Sequence, residues 1–458
     1  MTTVEPHRGG RVYPLAPAFT GDDLLERTGL ELAAMIVDGA ITSGDLVDRC
    51  LTRIARHDPA LSAFAAVVEG PARREAERAD KLRARGRIVG PFHGVPTAVK
   101  DHHLLRFTRT RMGSRAFDWL WSPVDDRLVR SLRDAGFVLV GKTMMSELGI
   151  LPIVETELQP PTRNPWNISR TAGGSSGGAG AAIAAGFVPL APGSDGAGSV
   201  RIPASLNGLV GLKPTRGLIP DDAARIDRYG FSSIGPLARS IDDAAALLDL
   251  LAAPGRGHHR RRSREAPPPL RVGVIVDGPI VQVDPRIAAL VEGAADRLRA
   301  AGHAVERRAS PAAALGDFLP IYQRFVSRIP ILARGRLGPF ARWFWESGRA
   351  VADADAERHL AGFVEIGRQM MEGLDVMLSP TVGISPFEVG AFARLPPAEL
   401  FAAVAPLGAF TAMANITGQP ALTLPAGLVD GMPVGVQLTG HRDDDARLFA
   451  LARQIEAP

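Results

Sequence analysis

Two glycine- and serine-rich clusters, GGSSGG at 173–178 and GSDGAGS at 193–199, bracket an alanine-rich segment of the chain. Gly174 and Ser175 open a predicted short helix, which residues 179–185 continue and Gly186 ends, and residues 188–191 predict a buried strand that leads into the second cluster. There, Gly196 and Gly198 carry no side chains that would block access to the backbone N–H groups. Convergent N–H groups stabilise the oxyanion of acyl transfer. The two clusters therefore predict an active site.

Three other interpretations of these glycines stay open on the residues alone. Clusters of this composition are often flexible loops, and glycine loops at helix starts bind phosphate. However, no Gly-Lys-Ser/Thr follows and no G-x-G-x-x-G opens the helix, which disfavours a phosphate site. Gly174-x-Ser176-x-Gly178 matches the nucleophile elbow of serine hydrolases. An elbow follows a buried strand, whereas residues 163–172 are polar and interrupted by proline.

Lys100 ends an apolar run at 95–99, which predicts a buried amine at the end of a strand. Burial lowers the pKa of a lysine by up to several units. Such a lysine could deprotonate a serine hydroxyl without a histidine. The alternative is an ordinary lysine whose stem is buried and whose ammonium pairs with Asp101.

Several longer motifs occur in one order along the chain, and together they resemble the amidase signature family from about residue 30 to the C-terminus. The motifs are GVPTAVKD with Lys100, PTRNPWN from Pro161, GGSSGG from Gly173, GSDGAGSVRIPAS from Gly193, GLVGLKPTRG from Gly208, GPLARSIDDAA from Gly235, NITGQPALTLPAG from Asn415 and GMPVGVQLTG from Gly431.

The resemblance implies a Ser–cis-Ser–Lys triad, with Ser199 as nucleophile, Ser175 as bridging serine after a cis peptide bond, and Lys100 as base. It also implies an oxyanion hole made by the backbone N–H groups of Gly196, Ala197, Gly198 and Ser199. Ser176, Asp195 and Arg201 match polar positions that support the site.

The chain departs from the commonest family pattern at two places. Asp195-Gly-Ala-Gly-Ser199 replaces Asp-Thr-Gly-Gly-Ser, and His102 replaces the asparagine that usually follows Asp101. The first change affects the fine geometry of the oxyanion hole and the substrate fit, and neither change alters the reaction type.

The implied fold is α/β: one domain with a central mixed, largely parallel twisted sheet covered by helices on both faces. Within it we expect N-terminal helices at about 21–85, the signature core at about 90–250, a basic linker at about 254–269, and a variable substrate-covering region at about 311–350. Tyr322, Phe325, Trp343 and Phe344 in the last region are candidates for the substrate pocket or for the core of the covering helices. Glu147 resembles a family position near the substrate entrance.

Composition excludes several classes of function. The single cysteine, Cys50, excludes an internal disulfide, and the ten histidines form no metal-binding motif, so we expect neither metal nor cofactor. A net charge of +4 on 458 residues indicates no general nucleic-acid surface. No run of about 20 apolar residues and no signal-peptide pattern occurs, which predicts a cytoplasmic protein without a membrane partner. A homodimer is compatible with the resemblance.

The function that the resemblance implies is hydrolysis of a carboxamide to a carboxylic acid and ammonia or an amine, through an acyl-enzyme on Ser199. One alternative is the glutaminase component of a tRNA-dependent amidotransferase. That component usually has glutamine after the arginine of the nucleophile motif, where this chain has Ile202. The other alternative is a binding protein that has lost catalysis, although all three triad positions are filled.

Overall fold

Fifteen strands and fifteen α-helices are defined in the computed structural model, which describes residues 10–222, 227–278, 280–311 and 314–456. The strands are β1 (Phe64–Val67), β2 (Pro96–Lys100), β3 (Thr108–Arg109), β4 (Trp121–Ser122), β5 (Val138–Thr143), β6 (Arg163–Asn164), β7 (Asn167–Thr171), β8 (Leu190–Asp195), β9 (Val210–Lys213), β10 (Ser233–Ala238), β11 (Arg271–Val274), β12 (Ala304–Arg307), β13 (Val376–Pro380), β14 (Ala421–Val429) and β15 (Met432–Gly440). The helices are α1 (Gly29–Asp38), α2 (Ser43–Leu61), α3 (Glu69–Arg83), α4 (Arg127–Asp134), α5 (Gly177–Ala184), α6 (Arg201–Asn207), α7 (Ile241–Leu251), α8 (His259–Arg262), α9 (Pro285–Ala300), α10 (Leu315–Val326), α11 (Pro339–Ala350), α12 (Asp353–Met370), α13 (Pro397–Val404), α14 (Ala412–Thr417) and α15 (Asp445–Glu456).

The central sheet has eight strands in the order β12-β11-β13-β15-β14-β9-β10-β8, and helices flank it. A three-stranded sheet, β1-β5-β2, lies beside β8, where the Thr97 hydroxyl of β2 donates to the Leu190 carbonyl at 2.9 Å. Two short hairpins, β3–β4 and β6–β7, complete the strands. The predicted mixed α/β fold is confirmed.

The expectation of a largely parallel sheet is corrected by the strand pairing. Of the seven neighbouring pairs in the central sheet, only β11–β12 and β11–β13 are parallel. The tight turn at Asp430 and Gly431, both with positive φ, joins β14 and β15 as a hairpin, which forces antiparallel pairing. The alternation of strands and helices before residue 204 misled the prediction, because β2 and β5 belong to the smaller sheet.

The alanine-rich segment between the two glycine clusters forms α5, every residue of which is buried. The helix starts at Gly177, three residues later than the sequence pattern suggests. Its glycines allow backbone to approach closely, since a Cβ at Gly178 would lie 2.5 Å from both the Ala63 carbonyl oxygen and the Met144 nitrogen. Glycine in this cluster therefore serves packing, which excludes the flexible-loop interpretation.

The strand predicted at 188–191 is displaced toward the second cluster. Strand β8 runs from Leu190 to Asp195 and pairs with β10 over its whole length, up to the Ser233–Asp195 pair. The glycine-rich residues that follow therefore begin where the strand ends. The second cluster therefore lies against the N-terminal start of α5, where Ser176 donates its N–H to the Ser199 carbonyl at 3.2 Å.

The basic segment at 254–269 contains α8, which is fixed to α7 by two carboxylates. Asp242 forms ion pairs with Arg260, Arg264 and Arg453, at 3.2, 3.2 and 3.1 Å. Asp249 accepts hydrogen bonds from the backbone N–H groups of His258 and His259. Much of the positive charge in this segment is therefore neutralised within the fold.

Candidate active site

Lys100 lies at the end of β2 and is 1% exposed. Its ammonium nitrogen donates to the hydroxyl oxygens of three serines: Ser175 at 2.7 Å, Ser176 at 2.9 Å and Ser194 at 2.9 Å. Among the described residues no carboxylate forms an ion pair with it. Burial lowers the pKa of Lys100 to about 7, an effect that the charge of Asp195 partly opposes. A large fraction of Lys100 is therefore the neutral amine at neutral pH, as a general base requires.

Ser175 follows a cis peptide bond to Gly174, the conformation that the resemblance implies for a bridging serine. Gly174 fits against the backbone of the preceding loop, because a Cβ there would lie 2.8 Å from the Ile153 nitrogen. Ser175 is 1% exposed, and its hydroxyl contacts Lys100 directly. The structure thus brings the predicted base and the predicted bridging serine within hydrogen-bond distance of each other.

Ser199 lies in the turn between β8 and α6, and Asp195 shapes that turn. The Asp195 carboxylate accepts the backbone N–H groups of Gly198 at 2.7 Å and Val200 at 3.1 Å. Burial would raise the pKa of Asp195, but the guanidinium of Arg201 holds that pKa well below its usual range. Asp195 therefore stays ionised and holds the turn formed by residues 195–200, which we call the nucleophile turn after the role predicted for Ser199.

Arg201 is fully buried and bonds to residues that sequence reasoning missed. Its guanidinium donates to Asp195 at 3.0 Å, to Asn415 Oδ1 at 2.5 Å, and to Gln437 Oε1 at 2.8 Å. A further hydrogen bond reaches the Thr411 carbonyl at 2.8 Å. Asn415 stands in a quoted family motif, but the motif gave no sign of this contact.

Thr411 holds the nucleophile turn from the other side. Its hydroxyl donates to the Ala197 carbonyl at 2.6 Å. Gly198 has φ +124°, and a Cβ there would lie 2.1 Å from the Thr411 hydroxyl oxygen. Glycine at 198 is therefore required both by the backbone conformation and by the packing. Ala197 has an ordinary negative φ, so its substitution for glycine causes no backbone strain.

The four N–H groups of the expected oxyanion hole are not equivalent. The Gly198 N–H already donates to the Asp195 carboxylate, which removes it from the set. Within the described ranges, the N–H groups of Gly196, Ala197 and Ser199 form no hydrogen bond. These three remain the candidate donors.

A cavity of about 150 Å³ adjoins Ser199 and Ala197. Its wall contains Ile150, Pro152 and Ile202 near the nucleophile turn. At a greater distance from Ser199, the cavity is lined by Met377 of β13 and Thr439 of β15, which face each other across the two strands. The next pair on the same side of these strands is Ser379 and Gln437, and Gln437 is hydrogen-bonded to Arg201. Four of the ten methionines of the chain line this cavity, namely Met370, Met371, Met377 and Met413. Among the residues that the structure describes, none that lines this cavity is charged.

Of the four candidate pocket aromatics, Tyr322 lines the cavity and the other three do not. The Phe325 ring stacks on the Tyr322 ring with 6.1 Å between centroids. The fully buried Phe344 ring packs edge-on against the same Tyr322 ring, with 5.4 Å between centroids. Trp343 packs against Phe340 and borders a separate surface groove with Arg342. Aromatic content identified the covering helices, but a helical repeat does not show which ring faces the cavity.

Glu147 also lies outside the cavity lining. Its carboxylate accepts the Ser114 hydroxyl at 2.5 Å and the Gly338 N–H at 3.0 Å, immediately before α11. Burial raises the pKa of Glu147 above its usual value. This glutamate attaches a covering helix to the core of the molecule.

The described ranges contain no group of three His, Cys, Asp or Glu side chains that could hold a metal ion. Likewise, no helix within them combines the length and the apolar character needed to cross a bilayer.

The chain matches the model of the amidase family over residues 45–327 and 346–449. It is 37% identical to the putative amidase AmiB2 of Mycobacterium tuberculosis, over 93% of this chain and 94% of that protein. It is 35% identical to the 6-aminohexanoate-cyclic-dimer hydrolase of Paenarthrobacter ureafaciens, over 93% of each chain. A solved structure of a 6-aminohexanoate cyclic dimer hydrolase complexed with substrate superposes with a TM-score of 0.85 at 30% identity, over 95% of this chain and 97% of that one. One component of the glutamyl-tRNA(Gln) amidotransferase of Synechococcus sp. is 31% identical, over 94% of this chain and 97% of that protein.

Proposed function

The chain belongs to the amidase signature family and is a hydrolase of amide C–N bonds, and we propose that it acts through an acyl-enzyme on Ser199, with Ser175 and Lys100 as proton carriers. The observation that carries this proposal is the environment of Lys100. A buried amine with a pKa of about 7 and no carboxylate in direct contact lies 2.7 Å from the Ser175 hydroxyl. The turn that carries Ser199 is hydrogen-bonded to the adjacent residue, Ser176.

In the acylation step, neutral Lys100 accepts the proton of Ser175, and Ser175 accepts the proton of Ser199. The Ser199 oxygen forms a bond to the substrate carbonyl carbon, and the C–N bond then breaks. The leaving nitrogen receives the proton back through Ser175, which yields ammonia or an amine and an ester on Ser199. Water hydrolyses that ester by the same relay in reverse and releases a carboxylic acid.

The remaining N–H groups of the nucleophile turn supply electrostatic stabilisation. Those of Gly196, Ala197 and Ser199 are free to donate to the oxygen of the tetrahedral intermediate, and each such donor is worth roughly 3–4 kcal/mol in the transition state. Asp195 and Arg201 do not take part in proton transfer. They keep the turn in the conformation that presents these donors.

The substrate class follows from the uncharged wall of the cavity. A charged group there would lose its hydration without gaining an ionic partner, which is unfavourable by several kcal/mol. We therefore assign the site to an uncharged amide with an apolar substituent. Glutamine carries both an ammonium and a carboxylate, so this wall disfavours the glutaminase alternative, and the filled triad disfavours an inactive binding protein.

The nucleophile is tested by fluorophosphonate labelling measured by intact mass. We expect a single adduct on the wild type, none on Ser199→Ala, and a much slower reaction in Lys100→Ala. Ser176→Ala is the matched control and should label at a rate within about tenfold of the wild type, because Ser176 only supports Lys100. An adduct that persists in Ser199→Ala and disappears in Ser176→Ala would refute the assignment and favour the elbow interpretation.

The substrate class is tested with unbranched amides of increasing chain length, in one series on the acyl side and one on the amine side. In the series that enters the cavity, each added methylene should raise kcat/KM by about fourfold until the cavity is full, from about 0.8 kcal/mol per buried CH₂. Met377→Phe should shorten the optimum, whereas Met432→Phe, on β15 but outside this cavity, should leave it unchanged. A preference for glutamine over apolar amides would contradict the assignment.

A further inference from the structure

The exposed aromatic side chains of the described residues all lie within one segment of 15 residues. Phe107 is 67% exposed, Trp119 is 54% exposed and Trp121 is 51% exposed. The three tyrosines of the chain, by contrast, are buried. Phe107 and Trp121 contact each other, with 5.7 Å between ring centroids. Large aromatics grouped on a surface in this way usually mark an interaction site.

The backbone holds these rings outward. Phe107 has φ +64°, a left-handed conformation that is rare for a bulky residue. It is fixed there by the hydrogen bond from its N–H to the Ser122 carbonyl at 2.7 Å, beside the β3–β4 hairpin. The inner side of the same segment is anchored, because Ala116 and Phe117 are buried in the hydrophobic cluster that also contains Ile150 and Ile202 of the cavity wall.

Positive charge surrounds the rings. Residues 105–124 contain four arginines and one aspartate, a formal charge of +3. Arg106, Arg109 and Arg115 are exposed, and Arg106 lies 3.7 Å from the carboxylate of Asp125, just beyond the segment. Arg109 lies directly opposite Trp121 in the hairpin, so both side chains are on one face. The aspartate, Asp118, is occupied by Arg111 and Arg336, each at 3.0 Å.

We propose that the segment 105–124 docks the protein on an anionic lipid surface, with Phe107, Trp119 and Trp121 at the level of the headgroups and the arginines on the phosphates. Tryptophan and arginine are the side chains that anchor proteins at bilayer interfaces. This docking requires no membrane-spanning segment, so the absence of a long apolar run in the sequence does not bear on it.

The small area and the positive charge of this segment favour a lipid surface over a protein partner or a second copy of the chain. Three half-exposed aromatics offer roughly 300 Å² of apolar area, well below the ~800 Å² per partner of a standard protein interface. A second copy of the chain docked on the same patch would bring two positively charged segments together, which opposes association.

The test is co-sedimentation of the full chain with phosphatidylglycerol–phosphatidylcholine vesicles and with phosphatidylcholine vesicles alone. We expect binding to the anionic vesicles that weakens with added salt, together with a blue shift of tryptophan fluorescence. The double variant Trp119→Ala/Trp121→Ala should bind about tenfold or more weakly. Arg109→Gln/Arg115→Gln should reduce binding by about 25-fold, since each arginine near the surface contributes about fivefold.

The control variant is Ile168→Ala/Leu428→Ala, which removes two equally exposed apolar side chains elsewhere and should bind like the wild type. All three double variants should retain activity on a water-soluble amide, because none of their residues lies in the active site. Absence of binding by the folded wild type, or an equal loss in the control, would overturn the proposal. It would also be overturned by a dimer in size-exclusion chromatography that only the tryptophan variant dissociates, because the patch would then contact a second copy.

Discussion

Lys100 and Lys142 occupy neighbouring parallel strands, yet the fold gives them different partners. Lys142 pairs in register with Val99, the residue before Lys100, and the two lysines are 0% and 1% exposed. Lys100 is surrounded by three serine hydroxyls, whereas Lys142 forms an ion pair with Asp101 at 2.8 Å and a hydrogen bond to Thr110.

This comparison separates burial from function. Burial lowers the pKa of both amines. For Lys142 the adjacent carboxylate of Asp101 opposes the shift directly, and the ion pair ties β5 to the turn after β2. For Lys100 the opposing charge, Asp195, forms no direct contact, and the pKa falls to about 7. A buried lysine is therefore suited to act as a base only where no carboxylate is in direct contact with it.

The largest effect expected from this difference is on catalysis. Lys100→Met should lower kcat/KM by about 10²–10⁴-fold, because the relay loses its proton acceptor. At neutral pH the free energy of unfolding should not fall, because methionine fills a similar space and removes an amine whose burial disfavours its charged form. Steady-state kinetics and urea denaturation of the same preparation measure both quantities. Activity within tenfold of the wild type would show that Lys100 is not the base.

Lys142→Met should have the opposite profile. It leaves the buried carboxylate of Asp101 without its partner, and we expect a loss of about 3–5 kcal/mol in the free energy of unfolding, measured in urea. Per folded molecule, kcat/KM should keep the pH dependence of the wild type. The double variant Asp101→Asn/Lys142→Met removes the unpaired charge and should recover part of the stability. A Lys142→Met variant that is as stable as the wild type but inactive would contradict the structural role assigned to Lys142.

The sequence predicted much of the geometry of the candidate site, because the residues that meet there lie in contiguous motifs. Lys100, Ser175 and Ser176 meet as expected, at the end of a strand and the start of a helix. Ser194, Thr411 and Gln437 were missed because their contacts with Lys100, the nucleophile turn and Arg201 depend on the tertiary fold. Thr411 and Gln437 lie more than 200 residues from Arg201 in the chain.

The fold class was predictable in its mixed α/β character and not in its strand directions. The apolar residues 188–191 predicted a buried strand, but its antiparallel pairing with β10 is decided by packing of the whole sheet. The same holds for the aromatics of α10 and α11, where helical spacing does not show that Tyr322 faces the cavity while Phe344 lies behind it.

The pH dependence of kcat/KM sharpens the comparison further. In the proposed relay Lys100 acts as the neutral amine, so activity should fall about tenfold per unit as pH drops below about 7, where the folded amine gains its proton. The same pKa shift also makes the free energy of unfolding depend on pH. Between pH 7 and 10.5 the unfolded lysine binds a proton that folded Lys100 lacks, so this group makes the free energy of unfolding rise with pH. Lys100→Met should reduce that slope by up to about 1.4 kcal/mol per pH unit. An activity profile that is flat between pH 5 and 8 would contradict a base of this kind.

The smallest effect concerns the third hydroxyl of the Lys100 environment. The Ser194 hydroxyl accepts a hydrogen bond from the ammonium and is not part of the proposed relay. Ser194→Ala removes one interaction that stabilises the charged form, so the pKa of Lys100 should fall by about one unit or less, and the acidic limb of the kcat/KM profile should move to lower pH. The plateau value of kcat/KM should fall less than about tenfold.

Ser175→Ala, which breaks the relay, should instead abolish most of the activity at every pH. Ser169→Ala, at an exposed hairpin, is the control and should leave both the limb and the plateau in place. If Ser194→Ala and Ser175→Ala lost activity equally, the three hydroxyls would be equivalent, and the bridging role would not belong to Ser175 alone.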